Sequence, residues 1–516
     1  MNIAIIFPKL RGFYSKAEFW DHTTISEIDI VEIGLISAVL THDGNQVDYY
    51  DLFYKDKDIN INLILRSKPY DLIFIYTEYD SLINATKISK TIKKNNQKII
   101  VVSFGYYTIY NYQKIMQIAP QFDASIVSLD EYTLKELADC VKSNEDWRGV
   151  KGLAYRNDNK IVVLNSPRAK YYEYKMPWAI RPDGEIASAE MRTISGCTSQ
   201  CIFCEMVNAR HSLNFHSIKI RDVHDVIDEI LYLCQNRGTK QIRFSDESFL
   251  LYSEERTKWL TDFISLCHEN KIRINITANA RVIDVIQYKH LLADLVDIGF
   301  DKILIGVENL LDEKLKFFRK GTTVEQNLEA YQILDDLGFN IGIGFILFDP
   351  YVTLEQIREN IVLIKTHGLY KHILGAASTL PFPIDSVVSN VANSPLYEMV
   401  ERDGLETREN WYGYYFKDHY VEKYRNVLLS WNEMCPPIDA KLFKTVTSTS
   451  PSYISCLPDD TYRLIANKLK EINLTKLIEL CDLVIDEMFD EQSFIMQWQE
   501  EKREIYQILE KYERES

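Results

Sequence analysis

The sequence predicts an α/β protein of two domains in series, with a helical region behind them. Three observations lead there. Short β-rich runs alternate with amphipathic stretches through the first 130 residues, a second alternating series begins near residue 190, and the β signal fades after about residue 395. Strands separated by crossover-length segments imply parallel sheets covered by helices. The expected partition is a five-stranded Rossmann-like parallel domain over 1–148, a hairpin and linker over 149–184, a partial (β/α)6 barrel over 185–395 and a helical C-terminal domain over 396–516.

In the front domain, "IAIIF" (3–7), "VDYYDLF" (47–53), "DLIFIY" (71–76), "KIIVVSF" (98–104) and "ASIVSL" (124–129) read as strands. Amphipathic stretches such as 27–44 and 81–96 lie between them. Ligands on parallel sheets sit beyond the carboxyl ends of the strands. That rule points to the loop 8–26, Thr77–Ser81, 104–110 and 128–133. "GLAYRNDNKIVVLNSP" (152–167) is two strand-like runs about a polar turn, a hairpin, and 168–184 an irregular connector.

From about 190, "MRTISG", "KQIRFSDE", "IRINITANA", "KILIGVE", "NIGIGFILFD" and "HILGAAST" read as six strands with helical segments between them. Six β/α units in so short a span suit an open barrel, since a full eightfold barrel takes about 250 residues. The stretches 394–404, 417–434 and 459–513 are helical in pattern.

Composition narrows the function. The chain has 516 residues, 46% hydrophobic and 26% charged, with a formal net charge of −16. So acidic a chain argues against nucleic acid as the main partner. No stretch approaches the roughly 20 apolar residues of a membrane span, and the N-terminus lacks a signal-peptide pattern, so a cytoplasmic location is expected. Nine cysteines read as reduced thiols rather than a disulfide framework. Six of them (Cys140, Cys234, Cys267, Cys435, Cys456, Cys481) are scattered among apolar neighbours as buried bystanders.

The other three, Cys197, Cys201 and Cys204, stand in "SGCTSQCIFCEM", in the loop after the first barrel strand. Thiolates ligate iron–sulfur clusters, and a four-iron cluster on three protein ligands keeps one iron open. Gly196 eases the turn and Phe203 shields the sulfurs. Zinc is the other reading, with His211 completing a Cys3His site or one position left open. Three unligated thiols are the third.

CxxxCxxC with an aromatic before the last cysteine resembles the radical S-adenosylmethionine (SAM) superfamily. The likeness extends through "FSDESF" (244–249), "NARVID" (279–284), "ILIGVENLLDEKLKFFRKGTT" (303–323), "GFILFDPYVTLEQIREN" (344–360) and 381–406, and so covers about 190–410. It implies a [4Fe-4S] cluster on the three cysteines, with SAM on the fourth iron. It implies a SAM site of Phe203, with Asp246 or Glu247 on the ammonium, Arg281 on the carboxylate, and Glu308 on ribose or ammonium. Capping by Asp246 or Glu247, and a surface ion pair for Arg281, are the structural alternatives. A reductant such as flavodoxin or ferredoxin is the implied partner.

A parallel domain and hairpin ahead of such a barrel resemble the cobalamin-binding-domain class of that superfamily, through 32–51, 101–117 and 122–139. The resemblance implies a cobalamin site of Thr77, Phe104, Gly105, Tyr106, Tyr107, Ser128 and Glu131. The chain departs from the class in two places. No D-x-H-x-x-G motif exists, which leaves His22 an ordinary loop residue, and "SFGYYT" carries Phe104 and two tyrosines where relatives often have paired glycines. Those rings either fill the groove or stack on the corrin.

The expected function is a radical SAM enzyme that uses cobalamin to methylate an unactivated carbon of a small metabolite or natural-product intermediate. A rearrangement, cyclisation or oxidation, with or without cobalamin, is the alternative, and an RNA-modifying radical enzyme a further one. "ENWYGYYF" (409–416) reads as aromatic core or cavity wall, and "MCPPID" (434–439) as a connector or a segment threading back to the site.

Overall fold

The structure is a computed structural model that describes residues 1–9, 31–42, 44–52, 60–78, 81–168, 175–181, 183–372, 395–405, 414–433 and 460–515. Two compact units divide the chain, one mainly Met1–Thr198 with Cys204–Glu247, the other mainly Ser248–Asn390 with Glu398–Ser516.

The first unit holds a seven-stranded sheet of β1 (Asn2–Phe7), β2 (Gln46–Asp51), β3 (Leu72–Tyr76), β4 (Ile100–Phe104), β5 (Ala124–Ile126), β6 (Leu153–Arg156) and β7 (Val162–Leu164). The strand order is β2-β1-β3-β4-β5-β6-β7. The first five pair in parallel. Helices α1 (Val31–Thr41), α2 (Ile61–Ser67), α3 (Leu82–Asn95), α4 (Tyr106–Ile118) and α5 (Tyr132–Lys142) join or follow them. The inner strands β1, β3 and β4 are mostly apolar because a covered parallel sheet buries both faces, whereas the edge strand β2, QVDYYD, is largely polar. Ile3, Ile5, Leu72, Phe74, Val102 and Ile126 form the core with Ile36 and Leu40 of α1 and Leu134 and Leu137 of α5. Each such burial contributes about 1.5–3 kcal/mol.

β6 pairs antiparallel with β5, Ala124 opposite Tyr155, and β7 with β6, so the expected hairpin lengthens the front sheet. β5 would otherwise present an open edge. The Asn157 side chain closes the turn by accepting from the backbone N–H of Asn159 and Ile161.

The same unit contains β8 (Ser188–Met191), β9 (Ile194–Ser195), α6 (Glu205–Ser212), β10 (Lys219–Ile220), α7 (Val223–Arg237) and β11 (Gln241–Phe244). β8 and β11 pair in parallel, β9 and β10 antiparallel. Ile109, Tyr110 and Met116 of α4 share a core with Ala209, Leu213 and Phe215 of α6 and the residues after it. The boundary between the units falls at Glu247/Ser248, inside the barrel series. A buried charge network ties the connector to α7: Arg181 and Arg221 both pair with Glu229 (2.7 and 2.8 Å), and Arg221 also pairs with Asp225 (2.6 Å).

The second unit contains α8 (Glu254–Glu269), β12 (Asn275–Ala280), α9 (Val282–Gln287), α10 (Leu292–Asp297), β13 (Phe300–Glu308), α11 (Asp312–Phe317), α12 (Val324–Asp336), β14 (Asn340–Phe345) and α13 (Leu354–Thr366). β12, β13 and β14 form a parallel ladder. α12 and α13 each open on a threonine capping box, Thr323 with Gln326 and Thr353 with Gln356. The expected sixth strand lies outside the described residues except for His372, whose carbonyl accepts from Ile343 N–H at 2.9 Å. Behind them come α14 (Pro395–Arg402), α15 (His419–Glu433), α16 (Asp460–Leu483) and α17 (Glu491–Glu515). The Trp431 and Trp498 rings stack at 4.2 Å between α15 and α17.

Of "ENWYGYYF" only 414–416 are described, and there Tyr414 and Phe416 are buried core. "MCPPID", His22, Cys435 and Cys456 lie outside the described residues. Cys140, Cys234, Cys267 and Cys481 are free thiols, buried or half-buried. Among the described residues no helix is long and apolar enough to cross a membrane.

Candidate functional site

The cysteine loop begins where β9 ends. Gly196 has φ +101°, and a Cβ there would meet Ser217 O at 3.0 Å and Ile218 Cδ1 at 2.9 Å, so only glycine fits without strain. Cys197 and Cys201 are buried and Cys204 is half-buried. Cys204 is also the N-cap of α6, and a helix N-terminus favours a negative sulfur. His211, the fourth ligand of the zinc reading, is exposed on the last turn of that helix. Among the described residues no three His, Cys, Asp or Glu side chains stand together as a single metal ion requires. A cubane makes no such demand, because each thiolate bonds a different iron.

Asp246 and Glu247, at the end of β11, hold the turn that leads into this loop. Asp246 is fully buried and accepts from Thr193 N–H (2.7 Å), Thr193 Oγ1–H (2.5 Å) and Ile194 N–H (3.1 Å). These bonds go back to the segment between β8 and β9 rather than to the segment that follows β11. Glu247 Oε2 accepts from Gly196 N–H at 2.9 Å. Burial pushes the Glu247 carboxyl above its usual range, and the Arg192 guanidinium offsets only part of that.

In the second unit, Ile202 N–H donates to Phe318 O (3.1 Å), and Phe203 packs edge-on against the Phe318 ring at 5.4 Å. Arg281 forms a fork with the fully buried Asp284, two bonds of 2.6 Å, and its Nη1 donates to Ser199 Oγ at 3.2 Å. The expected carboxylate-binding arginine is thus half of an internal ion pair, neither a surface pair nor an open fork. Glu308 ends β13 and pairs with Lys320 at 3.0 Å.

Five of the seven residues expected to hold cobalamin, Phe104, Gly105, Tyr106, Ser128 and Glu131, line one cleft of the first unit, at the carboxyl ends of β4 and β5. The cleft holds about 680 Å3 of empty space, including the solvent at its open mouth. Two residues stand apart. Thr77 is buried and bonded to the backbone of Phe104 and Ile75. Tyr107 is buried, with its N–H on Glu78.

The structure adds four charged residues that no motif marked. Arg192 bridges Glu32 (2.9 Å) and Glu131 (3.1 Å) across the cleft. Glu78 lies over Gly105, where a Cβ would come within 2.6 Å of its Oε1. Burial and the neighbouring Glu205 hold the Glu78 carboxyl well above its usual range. Burial and then Glu32 push Glu205 up to about 7. Only the charge of Arg192, inside the strand-like run "MRTISG", offered a signal in the sequence.

Residues 191–364 match the Radical SAM superfamily. An uncharacterised methyltransferase of Pyrococcus horikoshii, PH0819, is 25% identical over 61% of this chain and 67% of its own length. The 4'-phospho-dehydrooxetanocin synthase of Priestia megaterium is 28% identical over 47% of this chain, and the match spans about a third of that enzyme, 35%. The fold matches that of the cobalamin-dependent S-adenosylmethionine radical enzyme OxsB, solved with aqua-cobalamin and S-adenosylmethionine bound. The TM-score is 0.72 at 18% identity, over 99% of this chain and 80% of that one. The match to the superfamily thus covers residues 191–364, which follow the parallel α/β sheet in the sequence.

Proposed function

We propose, for a chain whose residues 191–364 form a radical SAM domain, that Cys197, Cys201 and Cys204 hold a [4Fe-4S] cluster whose open iron binds SAM, and that the enzyme acts on a small molecule. The observation that carries this reading is the CxxxCxxC loop inside the matched domain, kept in shape by Asp246, Glu247 and Gly196. When bound, the cluster and SAM supply a reductively generated 5′-deoxyadenosyl radical that abstracts hydrogen from an unactivated carbon. The chain's own residues orient and exclude water. Glu247 anchors the glycine of the loop, Arg281 and Phe318 fix residues 199–203, and Glu308 offers a carboxylate oxygen to a donor group of SAM. A reductant of the flavodoxin or ferredoxin kind supplies the electron.

Cobalamin is the second proposed cofactor, and methylation the proposed reaction. The cleft suits a large ring with apolar faces and amide arms: Phe104, Tyr106, Ile126 and Leu129 offer apolar surface, and Ser128, Glu131 and Arg192 offer hydrogen bonds. Bound there, cobalamin would supply a methyl carrier. One observation favours the alternative, radical chemistry without cobalamin. The space that Gly105 leaves is filled by Glu78, while Tyr107 and most of Phe104 are buried in the protein.

Cobalt retention separates the two. Protein purified without oxygen, reconstituted with iron and sulfide and desalted after excess hydroxocobalamin, is expected to keep about one cobalt per chain. Iron without cobalt would leave the radical reading intact and remove methylation through a corrin.

A further inference from the structure

Two strained backbone positions frame one ion pair in the second unit. Glu308 is a non-glycine residue with φ +63°. Asn309 N–H donates to Val307 O at 2.8 Å, closing a three-residue turn about it, and the β13–β14 register shifts at this point. A γ-turn with positive φ at its centre is rare and strained, and a left-handed non-glycine residue costs about 1–2 kcal/mol. At the other side of the pair, α11 ends on Arg319, also non-glycine, with φ +53°. Arg319 N–H donates to Lys316 O and Lys320 N–H to Leu315 O, both at 3.0 Å. Those two bonds make a Schellman ending, whose left-handed position glycine usually fills.

The strain delivers two side chains to one notch. Lys320 Nζ meets Glu308 Oε1 at 3.0 Å, with the side chains only 10% and 13% exposed. Gly306 makes the notch: a Cβ there would lie 2.2 Å from Glu308 Oε1 and 2.7 Å from Lys320 Nζ. Gly344 continues it, since its absent Cβ would sit 3.8 Å from Glu308 Oε2. Strain of this kind persists where the surroundings over-determine it, and it concentrates at ligand clamps. Lys320 takes Oε1 and leaves Oε2 to accept a hydrogen bond.

We infer that Lys320 is a positioning residue for SAM binding. It holds Glu308 in the notch cut by Gly306, so that Oε2 faces a hydroxyl or ammonium donor of SAM. The inference rests on the reading of this chain as a SAM-binding enzyme. A carboxylate aimed beforehand binds without the entropic cost of ordering it afterwards.

The test is equilibrium dialysis of radiolabelled SAM against the full chain reconstituted with iron and sulfide, with iron content and thermal melting as controls of folding. Lys320→Met and Glu308→Gln are each expected to weaken SAM binding roughly tenfold or more, in line with the loss of one charge-assisted hydrogen bond. Lys320→Arg should stay within a few-fold of the parent. The double variant should bind no worse than the weaker single one, because both changes break the same unit. At saturating SAM the Lys320→Met enzyme should form deoxyadenosine within a few-fold of the parent rate, a defect in KM rather than kcat. Gly306→Ala, which keeps both charges and closes the notch, should show the same weak binding and covers the case in which Lys320→Met does not fold. Parent-like binding by Lys320→Met or Gly306→Ala, or additive losses in the double variant, would overturn the inference while leaving the radical SAM reading in place. A reconstituted parent that binds no SAM would overturn both.

Discussion

Asp246 and Thr193 share two hydrogen bonds, one from the threonine N–H at 2.7 Å and one from its hydroxyl at 2.5 Å, with the carboxylate fully buried. This pair fixes the exit of β8 just ahead of the cysteine loop. Bonds to a charged partner are worth about 1.5–3 kcal/mol each. Asp246→Ala should therefore destabilise the chain by about 3 kcal/mol or more and lower its capacity to retain iron. Denaturant unfolding and iron analysis check this, and a parent-like midpoint would remove Asp246 from the support of the loop.

Gly196 is the second point of support. Replacing it by alanine puts a Cβ 3.0 Å from Ser217 O at φ +101°, and such strain costs of order 1–3 kcal/mol. Gly196→Ala should load fewer irons per chain than the parent under identical reconstitution, while far-ultraviolet circular dichroism stays unchanged. Full loading would show that the loop tolerates the side chain.

The charge network under α7 makes a stability prediction without a functional one. Glu229 serves both Arg181 and Arg221, and all three side chains are no more than 4% exposed. Removing one partner of a buried pair costs about 3–5 kcal/mol, because it strands the other charge. Glu229→Ala should strand Arg181 and leave Arg221 to Asp225 alone, and it should lower the melting temperature far more than Arg181→Met/Glu229→Met, which removes one charge of each sign and keeps the Arg221–Asp225 pair. Equal losses in both would contradict the pairing.

Glu78 predicts a pH dependence. Burial, and then the nearby Glu205, raise its carboxyl well above the ordinary range. A carboxyl raised on folding favours the folded state at low pH, where it is protonated in both states. That advantage fades as pH rises above the unfolded value of about 4.3. Glu78→Gln should therefore gain more stability relative to the parent at pH 8 than at pH 5, in guanidinium melts at both. The same difference at the two pH values would show that Glu78 does not titrate in this way.

The most apolar strands of both series were legible because covered parallel strands bury both faces. "IAIIF" and "ILIGVE" mark β1 and β13 to within a few residues. The cysteine spacing was visible in the sequence, where it left zinc and unligated thiols open beside a cluster until the barrel pattern around it was added. Individual roles were not. Asp246 and Glu247 are neighbours in sequence, and only the fold shows that one serves Thr193 while the other reaches Gly196. Glu32, Glu131 and Arg192 meet across as many as 160 residues, and no local pattern encodes that. Glu308 and Lys320 were visible as letters, but the γ-turn and the helix ending that join them follow from backbone conformations that non-glycine residues seldom adopt. The hairpin was visible as a hairpin, and its place on the edge of the front sheet depends on the open side of β5.

The central claim is that Cys197, Cys201 and Cys204 hold a cluster that cleaves SAM. The most direct test is to incubate the anaerobically reconstituted chain with SAM and a strong reductant and to quantify 5′-deoxyadenosine. About four irons per chain and deoxyadenosine are expected in the parent, with both the brown chromophore and the product lost in Cys197→Ala, Cys201→Ala and Cys204→Ala. A full cluster and parent-like deoxyadenosine in any one of these variants would contradict it.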